Sequence, residues 1–145
     1  MAHENPSEKV LYELLDKTKT IAVVGASSNP ERPSYGIFRR LLAHGFTVIP
    51  VNPKETEVHG QKAYPTLDAV PVPIDLVNVF RRSIDTPSVA EGAVRVGAKA
   101  LWLQSGISND ETARIAESAG LTVVMDLCIG VEISMLGVPA KGSVA

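Results

Sequence analysis

Apolar residues in this chain occur either in short continuous runs or at the spacing of one helix face. The runs are rich in β-branched residues, which is typical of strands that helices cover on both faces of a sheet. Helical spacing predicts helices over about 34–45, 87–96 and 108–119, after a first helix that begins near Asn5. The continuous runs predict five strands, at 20–24, 46–51, 74–80, 99–103 and 121–125.

The alternation of strands and helices predicts an α/β protein in which right-handed crossovers join the strands of a parallel sheet. We predict a Rossmann-like, doubly wound parallel sheet in three layers, with strand order 3-2-1-4-5, folded as one domain over residues 1–145. In this order the chain reverses direction between the first and fourth strands. A ligand crevice is therefore expected above the carboxyl ends of those two strands.

Polar and turn-forming residues mark the ends of these elements. Asn5, Ser34 and Ser108 are expected to cap the amino ends of three helices. The pattern is irregular between the second and third strands, where it predicts a turn at 59–60 and a short edge strand near 61–64.

The composition is that of a soluble globular protein, with 45% hydrophobic and 21% charged residues in a chain of 145. A net charge of −2 gives no general attraction to nucleic acid or to an anionic membrane, so we expect neither as a partner. The amino end is polar, and no apolar run approaches the length of a membrane span. Cys128 is the one cysteine, which excludes an internal disulfide and suits a reducing compartment. We therefore predict a cytoplasmic protein.

The first predicted strand runs directly into a glycine and a short polar loop, in the sequence IAVVGASSNPERP. Gly25 allows a tight backbone turn, and the helix that follows presents free N–H groups and partial positive charge at its amino end. Strand, glycine turn and helix together predict a phosphate-binding loop. The loop lacks the second and third glycines of G-x-G-x-x-G, the fingerprint of nicotinamide and flavin sites.

The carboxyl ends of the predicted strands carry many hydrogen-bond donors and few carboxylates. No catalytic residue is predicted, and His3, His44 and His59 do not have the spacing of metal ligands. Because the carboxyl ends of parallel strands meet at the same edge of a sheet, we expect a binding site there for an anion with several phosphates. The donors expected to meet this anion are Ser27, Ser28, Asn29, Arg32, Lys54, Arg81 and Ser83.

The end of the second strand bears on the choice of nucleotide. A site for NAD normally has Asp or Glu there, to accept hydrogen bonds from the ribose hydroxyls. This chain has Asn52, Pro53 and Lys54 instead. A lysine favours a ribose that carries a phosphate, as in NADP or coenzyme A. Without the remaining glycines of the fingerprint, NADP is the weaker choice.

Six segments carry a further signal: VVGASSNPERPSYGIFRRLL, VIPVNPK, YPTLDAVP, DLVNVFRRS, GAKALWLQSGI and AGLTVVMDLC. Together and in this order they resemble the small bacterial and archaeal coenzyme A-binding proteins. These proteins are similar to the amino-terminal CoA-binding domain of the succinyl-CoA synthetase α subunit. The resemblance extends from about Thr20 to Gly137 and implies that the cofactor is coenzyme A.

The resemblance also implies which residues bind the cofactor. The pyrophosphate would be held at the helix amino end by Ser27, Ser28 and Asn29, with Arg32 beyond them. The cofactor would also be bound by the neighbouring Gly25, Ala26 and Ser34. Those near the adenosine, with Lys54 at its 3′-phosphate, would be Asn52, Pro53, Lys54, Phe80, Arg81, Ser83 and Thr86. Those along the pantetheine arm would be Gln104, Ser105 and Gly106.

Two positions depart from the pattern of the family. Many relatives have a basic residue where this chain has Leu127, and they commonly have Leu where this chain has Ser105. The synthetase performs its phosphoryl chemistry through a histidine in a second domain, and this chain ends where that domain would begin. The resemblance therefore implies a module that binds coenzyme A or an acyl-CoA and has no catalysis of its own.

Other interpretations stay open at this point. One is a small NADP-dependent reductase or an acyl-CoA-handling enzyme. Another is an interaction protein, gated by its ligand, with a protein partner or a second copy of itself. Cys128 is interpreted either as a small apolar filler after the fifth strand or as a thiol near that of bound coenzyme A. In the second case it forms a mixed disulfide under oxidation.

Overall fold

The structure, a computed structural model, describes residues 3–141. Strands and helices alternate along the chain, which confirms the predicted α/β fold. The strands are β1 (Thr20–Val24), β2 (Thr47–Val51), β3 (Glu57–Val58), β4 (Gln61–Lys62), β5 (Leu76–Val79), β6 (Ala100–Leu103) and β7 (Thr122–Val124). The α-helices are α1 (Glu8–Lys17), α2 (Pro33–Ala43), α3 (Thr86–Arg95), α4 (Asp110–Ser118) and α5 (Ile129–Leu136).

The central sheet has five parallel strands in the order β2-β1-β5-β6-β7, so the predicted strand order was wrong. Counted as the five predicted strands, the order is 2-1-3-4-5 instead of 3-2-1-4-5. Pro50 gives a reason for the position of β2 at the edge. The Pro50 carbonyl faces outward and accepts a hydrogen bond from Tyr64 N at 3.0 Å, but its nitrogen has no hydrogen to donate to a further strand on that side. The chain therefore reverses direction between β1 and β5, and the crevice lies above these two strands.

Helices cover both faces of the sheet, as predicted. α1, α2 and α5 pack on one face around Trp102 and Phe38, and α3 and α4 pack on the other face around Leu101 and Leu103. All four of these side chains are fully buried. Polar residues are therefore excluded from most of the sheet and collect at its carboxyl edge, where the strands end.

The predicted helix caps were each wrong by one or two residues. Ser7 caps α1 and Asn109 caps α4, where Asn5 and Ser108 were predicted. Ser34 does not cap α2 but lies inside its first turn, because the helix already begins at Pro33. The polar residues therefore predicted the loop in which each helix begins. Which residue of the loop caps the helix depends on where the backbone turns into the helix.

α5 was not predicted, although it forms part of the edge where the strands end. Its apolar residues do not make a narrow stripe, since Ile129 and Ile133 are buried whereas Val131 and Met135 are exposed. The helix ends at Gly137, which has a left-handed φ of 69°. α5 packs against α1 and α2, and its amino end follows directly from β7.

The segment between β2 and β5 has the predicted irregular character. β3 and β4 form a short antiparallel hairpin whose turn is His59–Gly60, and one 3-10 turn follows at Leu67–Ala69. Within residues 3–141, no helix has the combination of length and apolar character that crossing a membrane requires.

Candidate functional site

A cavity of about 720 Å³ opens above the carboxyl edge of the sheet, beside the amino ends of α2 and α5. Its volume is in the range of small-molecule binding sites. Residues that follow each strand of the central sheet line this cavity, as expected for the crevice of an open α/β sheet. The predicted site residues that line it are Gly25, Ser27, Arg32, Ser34, Asn52, Pro53, Lys54, Phe80, Arg81, Gln104 and Ser105.

Gly25 brings the backbones of β1 and β5 close together at the rim of this cavity. It has a φ of +89°, and a Cβ at this position would lie 2.2 Å from the carbonyl oxygen of Phe80. On its other side, Gly25 N donates a hydrogen bond to the carbonyl of Val51 at 2.9 Å. Both the backbone conformation and the available space therefore require glycine here.

The loop after Gly25 is held largely by its own hydrogen bonds. Ser27 Oγ accepts a hydrogen bond from Asn29 N, and Asn29 Oδ1 accepts one from Glu31 N, both at 3.0 Å. Ala26 is fully buried. Of the four predicted residues from Ala26 to Asn29, Ser27 lines the cavity, whereas Ala26, Ser28 and Asn29 do not.

The carboxylate of Glu55 binds two hydrogen-bond donors of this loop. Glu55 Oε2 accepts a hydrogen bond from Ser28 N at 3.0 Å, and Glu55 Oε1 accepts one from Ser28 Oγ at 2.8 Å. Glu55 also lines the cavity. The donors of Ser28 are therefore bound to an anion that the chain supplies. Nothing in the local sequence distinguishes Glu55 from an ordinary glutamate of an exposed loop.

Ser34, in the first turn of α2, has a buried hydroxyl that is not satisfied within the fold. Its side chain is 2% exposed, it lines the cavity, and Ser34 Oγ has no hydrogen-bond partner. A buried unpaired hydroxyl costs ~1–3 kcal/mol, which a polar ligand would recover. Arg32 lies directly before Pro33 at the same end of the cavity, and the partial positive charge of the helix amino end adds to its charge, so this end suits an anion.

Asn52 ties the turn after β2 to the loop after β1. Asn52 Nδ2 donates to the carbonyl of Ala26, and Asn52 Oδ1 accepts from Lys54 N, both at 2.9 Å. Pro53 lies between these residues and is exposed along the cavity wall. These bonds fix the direction in which the chain presents Lys54.

Three cations border the cavity without a carboxylate partner. Among residues 3–141, Arg32, Lys54 and Arg81 take part in no ion pair. Of the two arginines after β5, Arg81, which was predicted to meet the anion, lines the cavity, and Arg82 does not. Arg82 is exposed and pairs with Asp85 at 2.9 Å, and this hydrogen bond raises the pKa of Arg82 above its ordinary value.

Three further predicted residues, Ser83, Thr86 and Gly106, do not line the cavity. Thr86 is fully buried, where Thr86 Oγ1 donates to the Ser83 carbonyl at 2.8 Å and lies 2.7 Å from Thr112 Oγ1. Gly106 N donates to Asp126 Oδ1 at 2.6 Å. The polar groups of these residues are thus used within the fold, where they hold the loops around the cavity.

A network of buried hydrogen bonds supports the floor of the cavity. Gln104 Oε1 accepts a hydrogen bond from Asn78 Nδ2 at 3.0 Å and another from Ile129 N at 2.9 Å. Beside it, Trp102 Nε1 donates to the carbonyl of Leu127 at 2.8 Å. These bonds join β5 and β6 to the amino end of α5. They position the part of the wall that α5 contributes.

Five residues of the cavity wall were not among the predicted cofactor contacts. A helical count from Ser34 would have found Ile37, one turn further along α2. Some of the other residues lie after the end of a strand, and the same criterion had predicted the rest of the cavity wall. The five are Pro33, Ile37, Glu55, Ile107 and Cys128.

A smaller cavity of about 340 Å³ lies on the other side of Arg81 and is lined in part by Asp68, Asp85, Ser88 and Arg95. Arg95 and Asp68 form an ion pair of 3.0 Å, and their hydrogen bond raises the pKa of Arg95. Charges in this cavity are thus largely neutralised by one another. The larger cavity has the greater excess of unpaired positive charge.

The described residues do not form a metal-binding cluster. Within 3–141, no group of three His, Cys, Asp or Glu side chains is placed to hold a metal ion. Each histidine is engaged elsewhere in the fold. His3 contacts a glutamate of α4, His44 Nε2 lies 2.9 Å from the Val138 carbonyl, and His59 Nε2 lies 2.9 Å from the Tyr35 carbonyl.

Comparison with known proteins finds relatives of similar length. A family model described as CoA binding domain matches residues 19–134. The uncharacterised protein YneT of Bacillus subtilis is 43% identical over 128 residues, which cover 88% of this chain and 95% of YneT. A solved structure of a hypothetical protein from Pyrococcus horikoshii matches with a TM-score of 0.88 and 37% identity. That match covers 94% of this chain and 99% of the archaeal one.

The chain is also similar to one part of a much larger enzyme. The ADP-forming acetate–CoA ligase of Methanocaldococcus jannaschii is 28% identical over 130 residues. The match covers 83% of this chain but 18% of the ligase. This chain therefore corresponds to one segment of that enzyme.

Proposed function

The chain belongs to the CoA binding domain family, and from this we propose that it binds coenzyme A or an acyl-CoA in the 720 Å³ cavity. The phosphates would lie beside Arg32, Lys54 and the amino end of α2, and the pantetheine arm would extend past Gln104 and Ser105. The protein would act as a binding module without catalysis of its own. A cytoplasmic location, suggested by its single cysteine, is part of the proposal.

The observation that carries this proposal is the set of unpaired cations that line the cavity. Arg32, Lys54 and Arg81 line one cavity, and none forms an ion pair among residues 3–141. A ligand with a pyrophosphate and a third phosphate would provide the missing negative charges. The unpartnered hydroxyl of Ser34 lines the same cavity and would gain an acceptor or donor from the same ligand.

The wall of the cavity supports binding more than catalysis. Glu55 is the one carboxylate among the residues that line it, and it is already held by Ser28 N and Ser28 Oγ. A general base needs an oxygen that is free to take a proton from the substrate. Both carboxylate oxygens of Glu55 already accept hydrogen bonds from Ser28.

Isothermal titration calorimetry with coenzyme A, dephospho-coenzyme A and NADP tests the proposal directly. We expect tight binding of coenzyme A, weaker binding of dephospho-coenzyme A, and no binding of NADP. Binding of NADP in place of coenzyme A would instead favour a reductase and would overturn the assignment of the ligand.

Replacing Lys54 by alanine is expected to weaken coenzyme A binding by about tenfold, or ~1.4 kcal/mol. The reason is that Lys54 follows the edge strand β2, where the 3′-phosphate of the ribose is proposed to lie. Dephospho-coenzyme A lacks this phosphate, so its affinity should hardly change. Calorimetric titration of both ligands against both proteins measures the difference.

Lys99→Ala serves as the matched control for this substitution. Lys99 is exposed at the opposite end of the sheet, beside the start of β6, so the same charge is removed away from the cavity. An equal loss of affinity for the two ligands in Lys54→Ala would contradict the assignment of Lys54 to the 3′-phosphate.

Replacing Glu55 by glutamine is expected to tighten coenzyme A binding by roughly three- to tenfold. The substitution keeps the shape of the side chain but removes a negative charge that lies in the cavity and holds the donors of Ser28. The gain should shrink as salt is added, because screening weakens the repulsion between Glu55 and the phosphates. Titrations at low and high ionic strength provide the measurement.

Glu57→Gln is the control for the change in net charge, since Glu57 lies two residues away on β3 and does not line the cavity. A similar gain in both variants would attribute the effect to overall charge. Unchanged or weaker binding in Glu55→Gln would mean that Glu55 does not compete with the phosphates.

A further inference from the structure

Cys128 occupies a position in the cavity wall that the proposed function does not use. It is the N-cap residue of α5, it is half-buried, and it lines the same 720 Å³ cavity as the three unpaired cations. Its side chain makes no capping hydrogen bond to the first turn of the helix. The thiol is therefore not committed to holding α5 in place.

A second observation indicates that a ligand reaches this side of the cavity. Ser34 lines the same cavity, is 2% exposed, and its hydroxyl has no partner in the fold. α2 and α5 are in close contact here, because a Cβ on Gly130 would lie 3.3 Å from Ile37 Cδ1. Ile37 is one turn beyond Ser34, and Gly130 is two residues beyond Cys128. The unsatisfied hydroxyl and the thiol are thus presented by two adjoining helix ends.

The strand order separates the thiol from Lys54. Lys54 follows β2 at one edge of the sheet. Cys128 follows β7, but its neighbours Leu127 and Ile129 are hydrogen-bonded to Trp102 and Gln104, so Cys128 lies above the end of β6. With neighbouring strands ~4.8 Å apart, the three spacings from β2 to β6 span roughly 14 Å. A long ligand with phosphates at one end and a thiol at the other matches this arrangement. Coenzyme A is such a molecule.

We propose that Cys128 is a site of reversible modification by coenzyme A, formed by exchange with coenzyme A disulfide. This inference rests on the proposed function, because it requires the cavity to accept coenzyme A. The Cys128 thiolate attacks one sulfur of the disulfide, whose S–S bond breaks as a new bond forms to Cys128 Sγ. The other coenzyme A leaves as a thiolate and takes up the proton that Cys128 lost. The disulfide supplies the oxidising equivalent, so no other oxidant is needed.

Intact-mass spectrometry of the full chain tests this inference, with coenzyme A disulfide and glutathione disulfide supplied at equal concentration. We expect one coenzyme A adduct per chain, formed at least tenfold faster than the glutathione adduct. Dithiothreitol should reverse the adduct. Desulfo-coenzyme A, which has the phosphates but no thiol, should slow its formation by filling the cavity. Cys128→Ser and Cys128→Ala should both remain unmodified.

A parallel titration of the wild-type protein with reduced coenzyme A shows whether the cavity binds coenzyme A independently of the modification. Binding of coenzyme A without a fast adduct, or equal rates for the two disulfides, would overturn the role of Cys128 and leave the proposed function standing. Failure of coenzyme A to bind at all would overturn the proposed function, and the modification with it.

Discussion

Replacing Gly25 by alanine is expected to lower the free energy of unfolding by about 3 kcal/mol or more. Alanine would have to adopt a φ of +89°, and its Cβ would lie 2.2 Å from the backbone oxygen of Phe80. The clash is with backbone, which no rotamer change can relieve, so β1 and β5 must separate at their carboxyl ends. The floor of the cavity would open with them, and coenzyme A binding should weaken as well. Urea unfolding and calorimetric titration measure the two effects.

Gly97→Ala is a matched control, because it has the same backbone strain without the contact. Gly97 has a φ of +73°, and a Cβ there would meet nothing within 4 Å. Its substitution should cost ~1–2 kcal/mol, the ordinary penalty for a left-handed alanine. Equal losses in Gly25→Ala and Gly97→Ala would show that the approach of Phe80 adds nothing.

Replacing Gln104 by leucine is expected to cost ~2–5 kcal/mol of stability, although the two side chains have similar size. The change removes the acceptor that Asn78 Nδ2 and Ile129 N share. It leaves Ile129 N buried without that partner, and it leaves Asn78 Nδ2 with only its 3.5 Å bond to the Trp102 carbonyl. Because Ile129 N is at the amino end of α5, the cavity wall formed by that helix should also shift. Chemical unfolding measures the loss of stability, and titration with coenzyme A measures the change at the site.

A double-mutant cycle with Asn78→Leu distinguishes this mechanism from simple loss of packing. The double variant should be more stable than the sum of the single losses predicts, because it removes the Asn78 donor together with its acceptor. Gln61→Leu, on exposed β4, should change stability by less than ~0.5 kcal/mol. Additive losses from Asn78 and Gln104 would contradict a shared hydrogen bond as the source of the effect.

The strands were predictable because each is a short apolar run that must be buried on both faces. The order of the strands was not read correctly, although Pro50 carried a signal for it. A proline within β2 leaves one position without a donor, which favours the edge of the sheet. The pairing of β1 with β5 across 55 residues of chain is a long-range contact that no local pattern specifies.

The candidate site was predictable to the extent that it follows the strand ends. Lys54 and Arg81 line the cavity because each comes directly after a strand of the sheet. Thr86 has a polar side chain of the expected kind, but its hydroxyl is used by Ser83 and Thr112. Residue type and position after a strand do not reveal whether a donor already makes a hydrogen bond within the fold.

The sequence by itself determined that this chain is a parallel α/β protein with a glycine turn and a basic strand edge. These properties depend on local backbone conformation and on the periodicity of burial, both of which a short window of residues contains. Only the tertiary structure decided that Gly25 faces Phe80, that Glu55 binds Ser28, and that α5 brings Cys128 into the cavity. Those contacts join residues that are distant along the chain, so they exist only once the strands have been ordered and the helices packed.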